Sequence, residues 1–363
     1  MNEQISIHVL NYNGKHFLKG CIDSLLKQDY PNFEILLVDN GSTDGSIDFI
    51  KENYGNEISN KKVRILSLDK NYGVTGAWNR SYKESEADFV VLSNNDVIFL
   101  QDNFLSLLVE YMIKESASIS MGWIYPLNLS KEDKLARIEN LKYATLNILG
   151  TCTDNVLKEN IQLLSGGCCM MLYKEKIKSP LFPEEYFMSS EDVFLGWKSF
   201  LQGNKIVICK EAGLYHYDSG TVKKRSYLIR YNTEKNRLAN LIILFDNKTL
   251  IKIFPLYIFE NMVKSVYLIT EPRIFKALFK AIVWDIKNIR VILSYRNKIK
   301  ETRKVEDKTV ISKMSYRIFP ETPEIFEIAH FLNKMVKFYC IIMGLKVYEL
   351  NNIKEENEKS SIN

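Results

Sequence analysis

The chain has 363 residues, 46% of them hydrophobic and 26% charged, with 49 Lys and Arg against 44 Asp and Glu for a net charge of +5. Such a length and composition hold one large folded domain or two moderate ones and exclude a disordered, collagenous or disulfide-scaffold protein; so small a net charge gives no ground for a nucleic-acid partner. The six cysteines, Cys21, Cys152, Cys168, Cys169, Cys209 and Cys340, show no CxxC spacing and sit mostly in apolar strings, the pattern of reduced, buried thiols in a cytosolic protein.

The N-terminal MNEQISIHVLNYNG enters a strand pattern at once, without the basic and apolar regions of a secretory signal. No run reaches the ~20 apolar residues of a spanning helix, so the expectation is a cytoplasmic protein. Residues 5–10 (ISIHVL), 33–39 (FEILLVD), 63–68 (VRILSL) and 88–93 (DFVVLS) read as strands. Between them come a helix with Phe17, Leu18, Cys21, Ile22, Leu25 and Leu26 on one stripe, a second near 46–54 and a short third around 75–83. Strand and helix alternating at this spacing predict an α/β fold, a mostly parallel, doubly wound sheet with both faces covered. A polar cluster follows each strand: Asn11-Tyr12-Asn13-Gly14, Asp39-Asn40-Gly41-Ser42, Asp69-Lys70-Asn71-Tyr72-Gly73 and Asn94-Asn95-Asp96. Parallel topology brings all four to the carboxyl edge, where such sheets bind nucleotides, although each also reads as a turn.

Apolar character returns at 97–100, and weaker patterns give a helix at 104–113 and a strand at 118–125. Order resumes with SGGCCMMLY (165–173), a helix over 191–202, KIVIC (205–209) and GLYHY (213–217). After about residue 240 the character changes to helix-period apolar residues threaded with Lys and Arg. A boundary is therefore expected there, dividing 1–240 (halves 1–110 and 111–240) from a helical region 241–350 and a disordered tail 351–363. Residues 273–304 carry ten Lys and Arg against Asp285 and Glu301. A basic amphipathic helix of this kind fits a membrane surface, where each cation near anionic lipid contributes ~1 kcal/mol. A packed helical subdomain or a homo-oligomer contact fits it too.

The strings VLNYNG, ILLVDNGSTDGS, NYGVTGAWN, NND, SGGCCMML, FMSSEDVFLGW and YHYDSG, in this order and spacing, resemble glycosyltransferase family 2 over about residues 6–237. The likeness is closest to its rhamnosyltransferase-like members, which build cell-surface polysaccharides. The resemblance implies a GT-A fold and an inverting, metal-dependent enzyme. Its donor would be a UDP- or dTDP-sugar, and its acceptor a hydroxyl of a lipid-linked or growing glycan, reached from the inner face of the cell membrane.

It implies that Asn11, Asp39, Asn40, Asn71, Gly73, Asn79 and Asn95 line the nucleotide pocket, with 1–110 the nucleotide-binding half and 111–240 the acceptor and catalytic half. Asp39-Asn40-Gly41-Ser42 also reads as a turn in which Ser42 or Thr43 caps the next helix. Asp96 stands at the DxD-like position, with Asn94 in place of the first Asp, and is the implied ligand of Mg²⁺ or Mn²⁺, hard cations that accept carboxylate and phosphate oxygens. His216 is a second implied ligand, or else a satisfied strand-end residue. Asp192 is the implied general base and Glu191 its support. Acids in a first helical turn are also expected from the helix dipole, with Ser189 or Ser190 as cap, and that dipole keeps Asp192 ionised. The family's further acid and Arg are replaced by Phe194 and Lys198. Gly166 and Gly167 admit the donor sugar or a close strand, and Trp197 joins the donor and acceptor contacts. Arg225, Arg230 and Arg237 reach pyrophosphate or form a solvated face. The competing readings are a non-catalytic glycan- or partner-binding relative and a sugar nucleotidyltransferase, whose Gly-rich, basic N-terminal loop VLNYNGKHF lacks.

Overall fold

Runs of Ile, Val and Leu buried along their whole length are what a parallel sheet covered on both faces requires. The computed structural model describes residues 3–125, 143–157, 160, 162–217, 227–267 and 271–349, and such runs form its centre. β1 (Ile5–Asn11), β2 (Phe33–Asp39), β3 (Val63–Ser67) and β4 (Phe89–Asn94) pair in parallel in the order β3-β2-β1-β4. Helices α1 (Lys15–Leu26), α2 (Ser46–Asn53), α3 (Gly55–Ser59) and α4 (Gly73–Glu84) connect them. α1 buries Leu18, Cys21, Ile22 and Leu25, four of the six residues on the stripe read from sequence. Trp78 and Tyr82 of α4 are fully buried. His8, also fully buried, bonds Ser81 Oγ at 3.0 Å and Ser6 Oγ at 3.1 Å, and burial pushes its pKa down to about 3, so it stays neutral.

Beyond β4 the sheet departs from a uniform direction. It continues through β9 (Cys169–Tyr173), β6 (Ile119–Tyr125), β10 (Ile206–His216) and β5 (Val97–Phe99). β9 is antiparallel to β4 and β6, β10 is parallel to β6, and β5 is antiparallel to β10. The segments 205–209 and 213–217 are one strand whose register slips between Cys209 and Gly213. The reversals set up the site: β1, β2, β4, β6 and β10 end at one edge, and β9 and β5 begin there.

Contacts divide the chain into two units. The first is Met1–Asn140, Ser165–Leu195 and Asn204–Ser226; the second is Leu141–Leu164, Gly196–Gly203 and Tyr227–Asn363. The division is discontinuous where a single cut near 240 was expected, because the hairpin of β7 (Tyr143–Leu146) and β8 (Cys152–Leu157) belongs with the helices. α5 (Phe104–Lys114) lies in the first unit, and α6 (Glu191–Leu201) begins there and ends in the second. The second unit also holds α7 (Tyr227–Leu244), α8 (Asn247–Tyr267), α9 (Pro272–Lys287), α10 (Ile289–Thr302), α11 (Asp307–Ile311) and α12 (Phe326–Ile342). The one basic helix expected over 273–304 is thus two, broken at Asn288. No helix among the described residues is long and apolar enough to cross a membrane. The expected tail, 351–363, lies outside the described residues.

Candidate functional site at the carboxyl edge of the sheet

At the ends of β1 and β2, Asn11 donates from Nδ2 to Asp39 Oδ1 at 3.0 Å and to Ser42 Oγ at 3.1 Å. Asn95 donates to Asn11 Oδ1 at 2.6 Å, and the Ser42 amide to Asp39 Oδ2 at 3.0 Å. Asn11, Asp39 and Asn95 are all buried. A Cβ on Gly14 would stand 2.0 Å from Asn95 Nδ2, so only glycine admits this amide. Ser42 does not cap α2, whose N-cap is Gly45; its hydroxyl serves Asn11 and the Asn13 amide, the latter at 2.9 Å.

Asn40 stitches the end of β2 to the loop before α4. It donates to Asn71 Oδ1 at 3.0 Å and the Gly73 carbonyl at 3.1 Å, and accepts from the Tyr72 amide at 2.9 Å. Gly73 is required by close approach: its φ is 72° and a Cβ would meet the Phe187 carbonyl oxygen at 2.2 Å. The Val74 amide donates to that same oxygen at 2.7 Å, and the Thr75 hydroxyl to the Tyr186 carbonyl. Asn79, expected in the nucleotide pocket, commits both ends of its amide to backbone. Its Oδ1 accepts from Leu181 at 2.9 Å and Phe182 at 3.1 Å, and its Nδ2 donates to the Phe182 carbonyl at 3.0 Å. Its part is to fix that segment.

Asp96 and His216 meet because β5 pairs with the end of β10, His216 opposite Val97. His216 Nε2 lies 3.2 Å from Asp96 Oδ1, and that buried oxygen accepts no hydrogen bond. Two ligands held at right angles about 2.2 Å from one octahedral cation stand about 3 Å apart, so the orphaned oxygen and the imidazole fit the implied divalent cation. Among the described residues no group of three or more His, Cys, Asp or Glu could hold a metal, so this pair alone would supply the acid and imidazole ligands.

The acids at the start of α6 reach the same edge. The Asp192 carbonyl accepts from the Ser165 amide at 3.2 Å and the Ser165 hydroxyl at 3.1 Å, and a Cβ on Gly167 would lie 3.7 Å from Asp192 Oδ2. The next residue, Cys168, accepts from the Asn94 amide at 2.8 Å. Asp192 is thereby linked to the NND turn through four residues of backbone. Ser189 and Ser190, expected as caps, both take left-handed φ values, 69° and 59°. Such strain collects at functional sites.

Desolvation pushes the Glu191 carboxyl up to about 8, helped by the charge of Asp192, and desolvation also raises Asp192, against the ionising effect expected of the helix dipole. The two share their titration, and Glu191, whose Oε2 is buried without a partner, holds a proton near neutral pH.

Other expected contacts are corrected. Trp197 is fully buried, its ring 4.5 Å from that of Phe245, and serves the core of the second unit. Arg237, equally buried, is held by Glu234 at 2.7 Å and Glu260 at 2.5 Å, and Arg230 pairs with Glu234 at 3.1 Å. Those guanidiniums are committed within the unit; Arg225 and the DSG of YHYDSG lie outside the described residues. Gly166 has a left-handed φ of 78°, and a would-be Cβ there stands 2.6 Å from Met121 Sδ, so its backbone conformation and its packing together account for the glycine. Gly14 and Ser165 were not singled out as site residues, though both stand inside quoted strings: VLNYNG and SGGCCMML.

Residues 6–177 match the family model described as glycosyl transferase family 2. Glycosyltransferase GlyA of Streptococcus pneumoniae is 28% identical over 248 residues, 65% of this chain and 33% of that protein, so this chain spans about a third of that relative's length. The Escherichia coli UDP-Glc:alpha-D-GlcNAc-diphosphoundecaprenol beta-1,3-glucosyltransferase WfgD is 26% identical over 204 residues, 56% of this chain and 71% of that one. Among solved structures, the mannosyltransferase PcManGT from Pyrobaculum calidifontis, in complex with GDP-Man and Mn²⁺, superposes with a TM-score of 0.52 at 14% identity, covering 83% of this chain and 84% of that one. The sheet with its flanking helices has the GT-A fold.

Proposed function

We propose, from a chain whose residues 6–177 belong to glycosyl transferase family 2, that it moves a sugar from a nucleotide-sugar donor to a hydroxyl of a lipid-linked or growing cell-surface glycan, with inversion. The donor class is a UDP- or dTDP-sugar. In support, relatives at 25–26% identity include the diphosphoundecaprenol-linked GlcNAc glucosyltransferase WfgD and the poly(ribitol-phosphate) beta-N-acetylglucosaminyltransferase TarS of Staphylococcus aureus.

Asn11, Asp39 and Asn95 form the polar floor for the nucleotide, with Asn40 and Asn71 shaping the adjoining loop. Asp96 and His216 would hold a divalent cation, Mn²⁺ or Mg²⁺, as the PcManGT complex holds Mn²⁺. When bound, that cation neutralises charge on the departing diphosphate, worth several kcal/mol. Asp192 takes the proton of the acceptor hydroxyl as its oxygen forms the new bond to the anomeric carbon; the bond to the diphosphate breaks with its electron pair leaving on the phosphate oxygen. General-base assistance of this kind is worth about 10²–10⁴-fold. Protonated Glu191 keeps a second negative charge away from the base. No covalent sugar–enzyme intermediate is needed. The region 241–350 holds the enzyme at the inner face of the membrane through the cations of α9 and α10.

The observation that carries the reading is the single edge shared by the Asp96–His216 pair and the Asp192 carboxylate, joined through Gly167 and Cys168. The test is a panel of nucleotide sugars with Mn²⁺, followed by mass spectrometry for hydrolysis and transfer. Wild type should consume at least one donor, and Asp192→Asn should lose about 10²–10⁴-fold of that rate. Consumption of none removes the function; undiminished turnover by Asp192→Asn removes the base.

A further inference from the structure

We infer that the neighbouring helices α8 and α12 present an apolar face that enters the surface of an anionic lipid bilayer. This deepens the membrane reading above, which rests on the basic stretch 273–304, by naming the face that is inserted.

α8 is apolar on both sides. Ile253, Leu256 and Tyr257 are buried, while Ile251, Phe254, Ile258, Met262 and Val266 recur outward at helical spacing, Ile251 at 73% and Met262 at 64% exposure. No exposed residue from Ile251 to Val266 is charged. The three charged side chains of that span are engaged elsewhere: Lys252 donates to the Met343 carbonyl at 2.8 Å, Glu260 pairs with Arg237, and Lys264 lies 2.8 Å from Glu260 and 3.3 Å from Glu234. α12 lies alongside, its Tyr339 hydroxyl donating to the Lys252 carbonyl at 2.8 Å. Its outward residues are Ile328, Phe331, Met335, Phe338 and Ile342, with Phe331 at 63% and Phe338 at 65% exposure. Lys334 is the one exposed charge from Ile328 to Ile342. Among the described residues, all exposed large hydrophobics except Tyr12, Ile113, Ile124 and Tyr217 belong to the second unit. Patches of this extent mark interaction sites.

Charge decides the occupant. Residues 227–349 hold 22 Lys and Arg against 12 Asp and Glu, whereas 1–226 hold 25 against 29. A second copy would bring the same positive excess to the contact and be repelled, while anionic lipid is attracted, about fivefold in affinity for each cation near the surface. Helices that are not both long and apolar enough to span can lie in the interface plane with one apolar face about 5–10 Å into the headgroup boundary.

The full chain is floated with vesicles of phosphatidylglycerol and phosphatidylethanolamine, and separately with phosphatidylcholine. Wild type should float with the anionic vesicles alone. Phe331→Asp with Phe338→Asp should lower its partitioning at least about 30-fold, and hydrogen exchange of the unaltered chain should slow in α8 and α12 when those vesicles are added. Flotation that survives the double substitution but is lost with Phe275→Asp and Phe279→Asp on α9 overturns the assigned face and leaves the membrane reading standing. Absence of flotation overturns both; equal flotation on phosphatidylcholine overturns the anionic preference. A lipid-free dimer that the α12 variant turns into a monomer assigns the face to self-association and overturns the inference. Donor turnover is scored separately and decides none of these outcomes.

Discussion

Replacing Gly73 by Ala tests the clamp that holds the approach to the acids of α6. Gly73 has a φ of 72°, a left-handed conformation that costs an L residue about 1–2 kcal/mol. The new Cβ would stand 2.2 Å from the Phe187 carbonyl oxygen, which cannot retreat without breaking its 2.7 Å bond from the Val74 amide. Overpacking of that kind adds about 1–3 kcal/mol, so the substitution should cost roughly 2–5 kcal/mol. Two other glycines separate the contributions. Gly45 has a φ of 79° but its Cβ would meet only Lys15 Nζ, at 3.5 Å, so Gly45→Ala should cost the conformational part alone, about 1–2 kcal/mol. Gly55 lies in α3 with nothing within 4 Å, so Gly55→Ala should be neutral or stabilising by up to about 1 kcal/mol. Guanidinium unfolding of the three variants gives the ladder directly. A Gly73→Ala variant no less stable than Gly45→Ala would refute the reasoning. Because Phe187 leads into Ser189, Ser190 and α6, Gly73→Ala should also lower kcat while Gly45→Ala leaves it near wild type.

The acid pair predicts two pH effects. Glu191 binds its proton more tightly folded, at about 8, than at its ordinary 4.5, so its contribution to stability is full below about 4.5 and is lost as pH rises through about 8; Glu191→Gln should remove that slope from pH-dependent denaturation. Turnover should rise with pH as Asp192 ionises, and an alkaline fall near 8 should be present in wild type and absent from Glu191→Gln. Chelation of divalent cations should abolish turnover, and His216→Ala should weaken Mn²⁺ binding in the presence of UDP by about 10-fold or more in calorimetry; unchanged affinity removes His216 from the ligand set. Asn79→Ala strips three hydrogen bonds from Leu181 and Phe182 and should destabilise by about 2–4 kcal/mol while shifting UDP affinity less than threefold. A large shift in affinity would return Asn79 to the nucleotide pocket.

Periodicity made the four parallel strands and their helices legible, because runs such as ISIHVL and FEILLVD are buried on both faces whatever lies beyond them. Direction and partner were not legible. β5 follows β4 after only Asn95 and Asp96, so locally it reads as the same strand resumed, and its pairing with β10 is a contact between residues more than a hundred positions apart. The polar clusters announced an edge, but not which side chains bond one another: Asn11, Asp39 and Asn95 join one network, while Asn79 turns its amide to backbone. Trp197 and Arg237 misled for a related reason. An aromatic or an arginine near a motif looks available until its partners, Phe245 for one and Glu234 with Glu260 for the other, are known. The helix dipole argued for an ionised Asp192, and the larger effect is the loss of water around both acids.

The imidazole of His216 comes from a strand laid down near the close of the first unit, long after the family match ends at residue 177. A fragment stopping there would retain Asp39, Asp96 and the glycines of the early turns, yet own only half of the proposed cation site and none of the carboxylates of α6. Cation uptake in the presence of nucleotide therefore doubles as a gauge of maturation: it should tighten once the chain has been synthesised past His216 and its strand has come home beside Val97.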